Sequence, residues 1–498
     1  MDKLTKWKKI APLLVILGCA LLSQGAVYQG QFFGEDETLQ LEYTSRLIDA
    51  IHTLDPVLFL RTMATPVHPP LRFLLAIPGV LIFPHSEFGT RIGAILFSLY
   101  MTYLVYALGK DLGGTRVGFI SGLLIAISPV YNWTSMAFGW SVIVTALLLG
   151  VRLLRNHTLD LATAEGRKAC IQVNLLVIAA FLTNTGCVLF FVSTGLVYLI
   201  YNLRRFWQVV KAFVPFVAFY ALYYFVNFVA VPYIAETYFN VTTPFGQLSQ
   251  NAARAGMSYL NITSLMENLQ GINGYFLPYV AWIVLACAIY YLVRHEWTIA
   301  LWLSVYAVGW SFILTGGSHQ YFLLVFIVMV PFCVKFIHDR VGLRALYGGT
   351  VILVLLMALW NYQIFLKPYG SDDPQYPHAL IKAGNVTLGR VHNISEPYEQ
   401  IGADIDRLLT GNDTFIHDVS GSFTMFYYPS TRYAGQFGSA AYPYDYDQSG
   451  DCYRVEEDYE DVAIIVTIRE LCDTSAMHAA QTLYTYDNSM LQLFHINP

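Results

Sequence analysis

The feature that most restricts this chain is a series of apolar runs, each near the length of a bilayer crossing, joined by short polar loops. Crossing ~30 Å of hydrocarbon takes about 20 helical residues. Such runs cover 10–28, 90–109, 117–133, 136–154, 171–182, 187–201, 212–231, 275–293, 299–314, 321–337 and 346–365, about eleven in all. Composition agrees: 56% of residues are hydrophobic and 13% charged, about half the charge of a soluble domain. The 35 tyrosines suit interfacial belts. The predicted fold class is an all-α polytopic membrane protein.

Charge is unevenly spread. From Lys367 to Pro498 there are 19 Asp/Glu and 7 Lys/Arg, whereas the preceding chain has 15 and 22. Two units follow: residues 1–366 in the bilayer, and 367–498 as an acidic, water-facing α+β domain. In the latter, Glu399–Leu409 has helical spacing, and Ala463–Ile468, Gln481–Tyr486 and Leu491–Ile496 read as strands. The first apolar run follows Lys3, Lys6, Lys8 and Lys9. Without an obvious small-residue cleavage site, it reads as an uncleaved helix rather than a signal peptide.

One run, Leu71–Phe83, is short, follows two prolines and contains Pro78. It is expected to lie in or re-enter the interface. Charge supports this. If it does not span and the N-terminus is cytoplasmic, Lys110, Arg116, Arg152, Arg155, Arg167, Lys168, Arg204, Arg205, Lys211, Arg294, Lys335, Arg340 and Arg344 all fall inside. If it spans, they all move outside, against the positive-inside rule. The outer face then gathers the loop at Asp36, His68, the segments near Trp133 and His319, the Tyr233–Asn273 loop and the C-terminal domain.

Cys19, Cys170, Cys187, Cys287 and Cys333 lie in or beside apolar runs, as small apolar fillers. Cys452 and Cys472 share the outer domain, where a disulfide is expected. Sequons begin at Asn132, Asn156, Asn240, Asn261, Asn385, Asn393 and Asn412. Two readings stand, a glycosylated ectodomain or bystander sequences. Asn132 is placed too near the bilayer to be modified.

Several residues suit chemistry at the outer face. Gly34-Glu35-Asp36-Glu37 sets three carboxylates beside a membrane helix, continued by an amphipathic stretch through Ile51 that holds them at headgroup depth. Adjacent carboxylates can divide roles, Asp36 as base and Glu37 as orienter or metal ligand. His68 sits in a His-Pro-Pro turn, where it either contacts a metal or phosphate or caps the next helix. Arg91, at the outer start of a run, suits bidentate contact with a lipid-linked phosphate, the alternative being snorkelling. Arg72 is a weaker phosphate candidate. His319 and Tyr321 open another run and read either as phosphate or sugar contacts or as ordinary interfacial residues. No Walker A, dinucleotide glycine pattern, HExxH, CxxC or Gly-x-Ser-x-Gly occurs, so nucleotide-driven and hydrolase chemistry lack support.

The order of these motifs resembles a known family. An Asp-Glu pair in GEDETLQLEYTSRLID, then HPPL at His68–Leu71, SEFGTRIGAILFSLYMTYLVYALGKDLGG and ISPVYNW at Ile127–Trp133 are similar to the GT-C membrane glycosyltransferases. The nearer branch is that of protein O-mannosyltransferases and lipid A aminoarabinose transferases. The likeness covers roughly the first 155 residues. It implies a polyprenyl-phosphate-sugar donor and transfer on the extracytoplasmic face by inverting single displacement, with Asp36 as general base and Glu37 beside it. It also implies that His68 and Arg91 lie near the donor phosphate. Metal use varies across the family, so no cofactor is assumed, with a divalent cation the one candidate. The chain departs from the family at Thr134–Trp140, where many relatives have Arg and Asp, and at Gln320-Tyr321, where they often have Arg-Tyr. Both departures suggest a different donor or acceptor, or an inactive relative. WWDYG is absent, which argues against transfer to asparagine.

The expected partners are the lipid-linked sugar, membrane lipids and a lipid, glycan or protein acceptor, with no nucleic acid. The expected location is a bacterial or archaeal cell membrane, then the endoplasmic reticulum. The rival reading, a transporter or flippase for a lipid-linked saccharide, calls for internal repeats, and none is visible. A non-catalytic receptor or assembly factor is the other rival, and it would tolerate loss of Asp36.

Overall fold

A computed structural model describes residues 3–24, 35–64, 69–83, 87–136, 138–239, 272, 275–313 and 319–366, together with eight strands between 380 and 496. For Asp36, Glu37, His319 and Tyr321 the backbone is described and the side chain is not; His68, Cys452 and Cys472 lie outside the described residues.

Up to residue 366 the described chain is helical. The helices are α1 (Lys3–Ser23), α2 (Glu35–Thr53), α3 (Pro56–Ala64), α4 (Leu71–Ile82), α5 (Glu87–Ala126), α6 (Pro129–Met136), α7 (Phe138–Asn156) and α8 (Ala164–Phe181). They continue as α9 (Val188–Tyr201), α10 (Phe206–Phe225), α11 (Val231–Phe239), α12 (Val280–His295), α13 (Trp297–Ile313), α14 (His319–Arg340) and α15 (Leu343–Asn361). Among the described residues, five segments are long and apolar enough to cross a membrane: 88–126, 139–156, 203–234, 322–340 and 344–364. Shorter apolar helices cover 10–23, 71–82, 185–201, 280–295 and 297–309.

The first of the long segments is two helices. At Gly113 and Gly114 the backbone leaves the helical region, with Gly114 at φ +80°, a left-handed conformation that a side chain would oppose. A methyl added at Gly118 would meet Lys110, and one at Gly122 would meet Tyr106, so the two arms of α5 lie antiparallel and close. The apolar run 117–133 also breaks, at Ser128-Pro129. Ser128 donates its hydroxyl to the Ile125 carbonyl at 2.8 Å, and Pro129, which lacks an N–H, starts α6 where no intrahelical donor is needed.

Contacts at the helix ends divide the bundle. Arg152 pairs with Asp111 at 2.9 Å, Arg155 with Glu296 at 2.9 Å, Arg205 with Asp160 at 2.7 Å and Lys335 with Asp339 at 2.6 Å. The first three pairs gather the α5 turn, the C-terminal ends of α7 and α12, and the loops before α8 and α10 at one basic end, and Lys335 beside Gly113 places the end of α14 there too. At the opposite end Ser23 donates to the Ala126 carbonyl at 2.6 Å. Phe181 meets Tyr220 and Tyr223 there, Trp133 meets Tyr275, and Asn132 meets Asn361. Successive long helices therefore run alternately between two ends. Helices α2, α3 and α4 gather at the end away from the ion pairs, and α11 packs on α3.

Between them lies a large apolar core, including Trp302, Tyr131, Phe190 and Phe326. The outer sides of α10 and α15 are mostly exposed apolar residues, as expected of helices that face lipid.

Among the described residues after 366, strands β1 (Leu380–Ala383) and β2 (Val386–Arg390) form an antiparallel pair, as do β4 (Tyr444–Tyr446) and β5 (Tyr453–Val455). Strands β3 (Phe415–Asp418), β6 (Val462–Thr467), β7 (Ala480–Thr485) and β8 (Gln492–Ile496) form a sheet in the order β3-β6-β8-β7, parallel only at β3-β6. Glu399–Leu409, expected as a helix, lies outside the described residues.

Candidate functional site

Gln40, Thr44, Arg72, Thr90 and Arg91 are buried where α2, α4 and the start of α5 meet. Helix α2 opens at Glu35, so Asp36 and Glu37 fall in its first turn. Its buried stripe is Gln40, Tyr43, Thr44, Leu47 and Ala50, the three-to-four spacing of an amphipathic helix. Tyr43 packs on Phe73 of α4, with ring centroids 5.3 Å apart. Thr44 donates to the Phe73 carbonyl at 3.4 Å.

Helix α4 is in turn pinned to α5 by two glycines. A methyl on Gly79 would collide with the Gly89 carbonyl and Ile92, and one on Gly89 would collide with the Phe83 carbonyl. The absence of both side chains lets the backbones touch.

Gln40 joins these pieces. Its amide donates to the Thr90 carbonyl at 3.4 Å, and its carbonyl accepts from Arg72 Nε at 3.4 Å. Arg72 is 2% exposed and Arg91 0%. Burying guanidinium groups this deeply is costly unless they are paired and bonded, and both arginines make further interactions in this structure. Behind Arg72, a methyl on Gly139 would lie 3.7 Å from Arg72 Cδ and 3.8 Å from the Thr183 carbonyl, so α7 and the end of α8 wall the cluster. The Leu71 amide donates to the Leu182 carbonyl at 3.2 Å and ties α4 to the same place.

A second polar layer lies at the same end of the bundle. Ser98 donates to Thr134 at 3.3 Å and Gln24 to Ser135 at 2.9 Å. Asn132 donates to the Ser23 carbonyl at 2.8 Å and to Asn361 Oδ1 at 2.7 Å. Trp133 stacks on Trp140, with centroids 5.3 Å apart. Within Thr134–Trp140 the hydroxyls of Thr134 and Ser135 and the indole of Trp140 are buried. Asn132 is fully buried, which removes its sequon from the surface.

Among the sequence-derived candidates, the structure buries Arg72 and Arg91 on two packed helices, α4 and α5, and α4 packs on the helix that carries Asp36 and Glu37. His319 and Tyr321 open α14, with side chains undescribed. Sequence reasoning missed Gln40, Thr90 and Gly139. Only Gln40 carried a usable signal, a polar residue four positions past Asp36 on the same helix. Among the described residues no three His, Cys, Asp or Glu side chains cluster as a metal site. Cys19, Cys170, Cys187, Cys287 and Cys333 are free thiols.

Residues 67–230 match the family model described as dolichyl-phosphate-mannose-protein mannosyltransferase. No curated protein matches the chain in sequence. Among solved structures, ArnT from Cupriavidus metallidurans in the apo state superposes with a TM-score of 0.56 at 15% identity, over 99% of this chain and 98% of ArnT. ArnT bound to undecaprenyl phosphate gives 0.41 at 17% identity, over 69% of this chain and 62% of that one. The apo oligosaccharyltransferase of Archaeoglobus fulgidus gives 0.47 at 14% identity, over 94% and 70%. The protein has the GT-C fold, the fold of membrane glycosyltransferases, and the segment that carries Arg72 and Arg91 matches the mannosyltransferase family model.

Proposed function

We propose that this protein transfers a monosaccharide from a polyprenyl-phosphate donor to an extracytoplasmic lipid, glycan or protein acceptor, with Asp36 as general base. The observation that carries the proposal is two buried arginines on adjacent helices, Arg72 and Arg91, with Gln40, one helical turn from position 36, bonded to Arg72 and to the carbonyl of Thr90 beside Arg91. Helical periodicity puts position 36 on the stripe of Gln40, Tyr43 and Leu47, which turns toward that pair. A lipid phosphate is the anion that two such forks at a membrane surface would hold. The matched family is named for dolichyl-phosphate-mannose, which agrees with a donor of this class.

The reaction is a single displacement. Asp36 takes the proton of the acceptor hydroxyl as its oxygen attacks the anomeric carbon. The sugar–phosphate bond breaks on the opposite side, inverting that centre. The polyprenyl phosphate leaves with the electron pair, and Arg91 and Arg72 stabilise its growing charge. A phosphate leaves well without a strong general acid. Glu37 orients the base or the acceptor, while His68, His319 and Tyr321 complete the donor contacts.

In this reading each long helix that runs between the two ends is a membrane crossing, about eleven in all. The N-terminus and basic end are cytoplasmic. The chain after 366 is an extracytoplasmic domain in which Cys452 and Cys472 pair. The membrane is the cell membrane.

The test is transfer from a radiolabelled polyprenyl-phosphate sugar by purified protein, with a native membrane extract as acceptor source. Wild type is expected to label a product, and Asp36→Asn to lose at least ~10²-fold of that rate. Transfer that survives Asp36→Asn removes the base, and transfer from no donor by folded protein removes the reaction.

A further inference from the structure

The helix α10 is the least buried of the long apolar segments, and one side of it changes character along its length. Trp207 and Lys211 fall on one stripe at the basic end, by helical spacing, and Arg204 lies in the 3₁₀ turn that leads into the helix. All three are exposed, Trp207 by 71%. Farther along the same stripe come Val214, Ala218, Leu222 and Phe225, also exposed. From Lys211 to Phe225 the helix rises about 21 Å, the scale of one leaflet's acyl chain.

Local acids do not neutralise the cations. Asp160 is held by Arg205 at 2.7 Å, and Glu165 by His157 at 3.0 Å. Among the described residues Arg204 and Lys211 have no ion pair. Two unneutralised cations flanking an exposed indole, followed by an apolar track, match the parts of one phospholipid: a net negative headgroup, its interfacial region and a chain. A zwitterionic headgroup would bring its own cation against Arg204 and Lys211.

We infer that this stripe binds an anionic phospholipid of the leaflet at the basic end. The phosphate sits between Arg204 and Lys211 beside Trp207, and an acyl chain lies along Val214, Ala218, Leu222 and Phe225. The site is at the opposite end of the bundle from Arg91, and it does not depend on the sugar-transfer reading.

Tryptophan quenching by chain-brominated lipid tests it. Full-length protein is placed in nanodiscs of phosphatidylcholine containing a minor fraction of either brominated phosphatidylglycerol or brominated phosphatidylcholine. The signal of Trp207 is the difference between wild type and Trp207→Phe. Brominated phosphatidylglycerol is expected to quench this signal more strongly, at a lower fraction of the lipid. The preference should fall roughly five-fold for each cation removed in Arg204→Gln and Lys211→Gln. Equal quenching by the two lipids, or a preference that survives in the double variant, overturns the site. Recovery of emission on adding polyprenyl phosphate would assign the stripe to a donor-type lipid and overturn it too.

Discussion

Arg91 is 0% exposed, and a side chain this large and charged is held at a core position only by groups that bond to it. Its planar fork can hold two phosphate oxygens at once, whereas a lysine offers a point charge. Arg91→Lys is therefore expected to lower kcat/KM by roughly 10²-fold, in line with the loss of one preorganised donor, while thermal unfolding in detergent changes little. Wild-type kinetics in that variant would remove Arg91 from the donor site. At this scale the sequence was partly legible. An arginine at the start of an apolar run is expensive enough to draw attention from sequence alone. Gln40 gave only the faint signal of a polar residue four positions past Asp36, because a glutamine in an amphipathic helix usually faces water. Only the fold shows that it bonds both Arg72 and the Thr90 carbonyl.

Among the elements, the crossing of α4 and α5 sets how the helices that carry Arg72 and Arg91 pack. A methyl on Gly79 would strike the Gly89 carbonyl and Ile92, so the helices must separate. Overpacking of this kind costs about 1–3 kcal/mol, and Gly79→Ala is expected to lower Tm and transfer activity together. The same substitution at Gly348, in α15, meets nothing within 4 Å. There the helix gains from alanine, by up to about 1 kcal/mol, so Gly348→Ala should raise Tm or leave it unchanged. If both variants behaved alike, the close approach at Gly79 would not be what holds α4. The glycines were visible in the sequence, but their purpose was not, since a glycine in an apolar helix reads as a small filler until the facing backbone is known. The α5 hairpin and the break at Ser128-Pro129 follow from backbone chemistry that the sequence does contain, although the run 117–133 read as one continuous span.

At the scale of the molecule, the ion pairs named among the described residues collect at one end and the buried arginines with the polar layer at the other. The proposed orientation makes a prediction that does not depend on activity. On a cysteine-free background, His52→Cys near the Arg91 end and Asn156→Cys at the basic end are both exposed positions. A membrane-impermeant maleimide applied to intact cells should label His52→Cys at once and Asn156→Cys only after permeabilisation. The reverse pattern would invert the topology and put the proposed transfer in the cytoplasm.

The sequence by itself determined that this chain is a bundle of apolar helices, because hydrocarbon-length runs depend on local composition. It also set which loops carry the positive charge, since the alternation of basic and neutral loops is written along the chain. Motif order in the first part of the chain pointed to the GT-C fold, and the superposition on ArnT bears this out. Only the tertiary structure decided which polar residues share one place. Gln40, Arg72, Thr90 and Gly139 come from four separate stretches, and what joins them is the hydrogen bonds of Gln40 and the packing of Gly139 on Arg72. Such contacts depend on the facing helix, which no local stretch of sequence specifies.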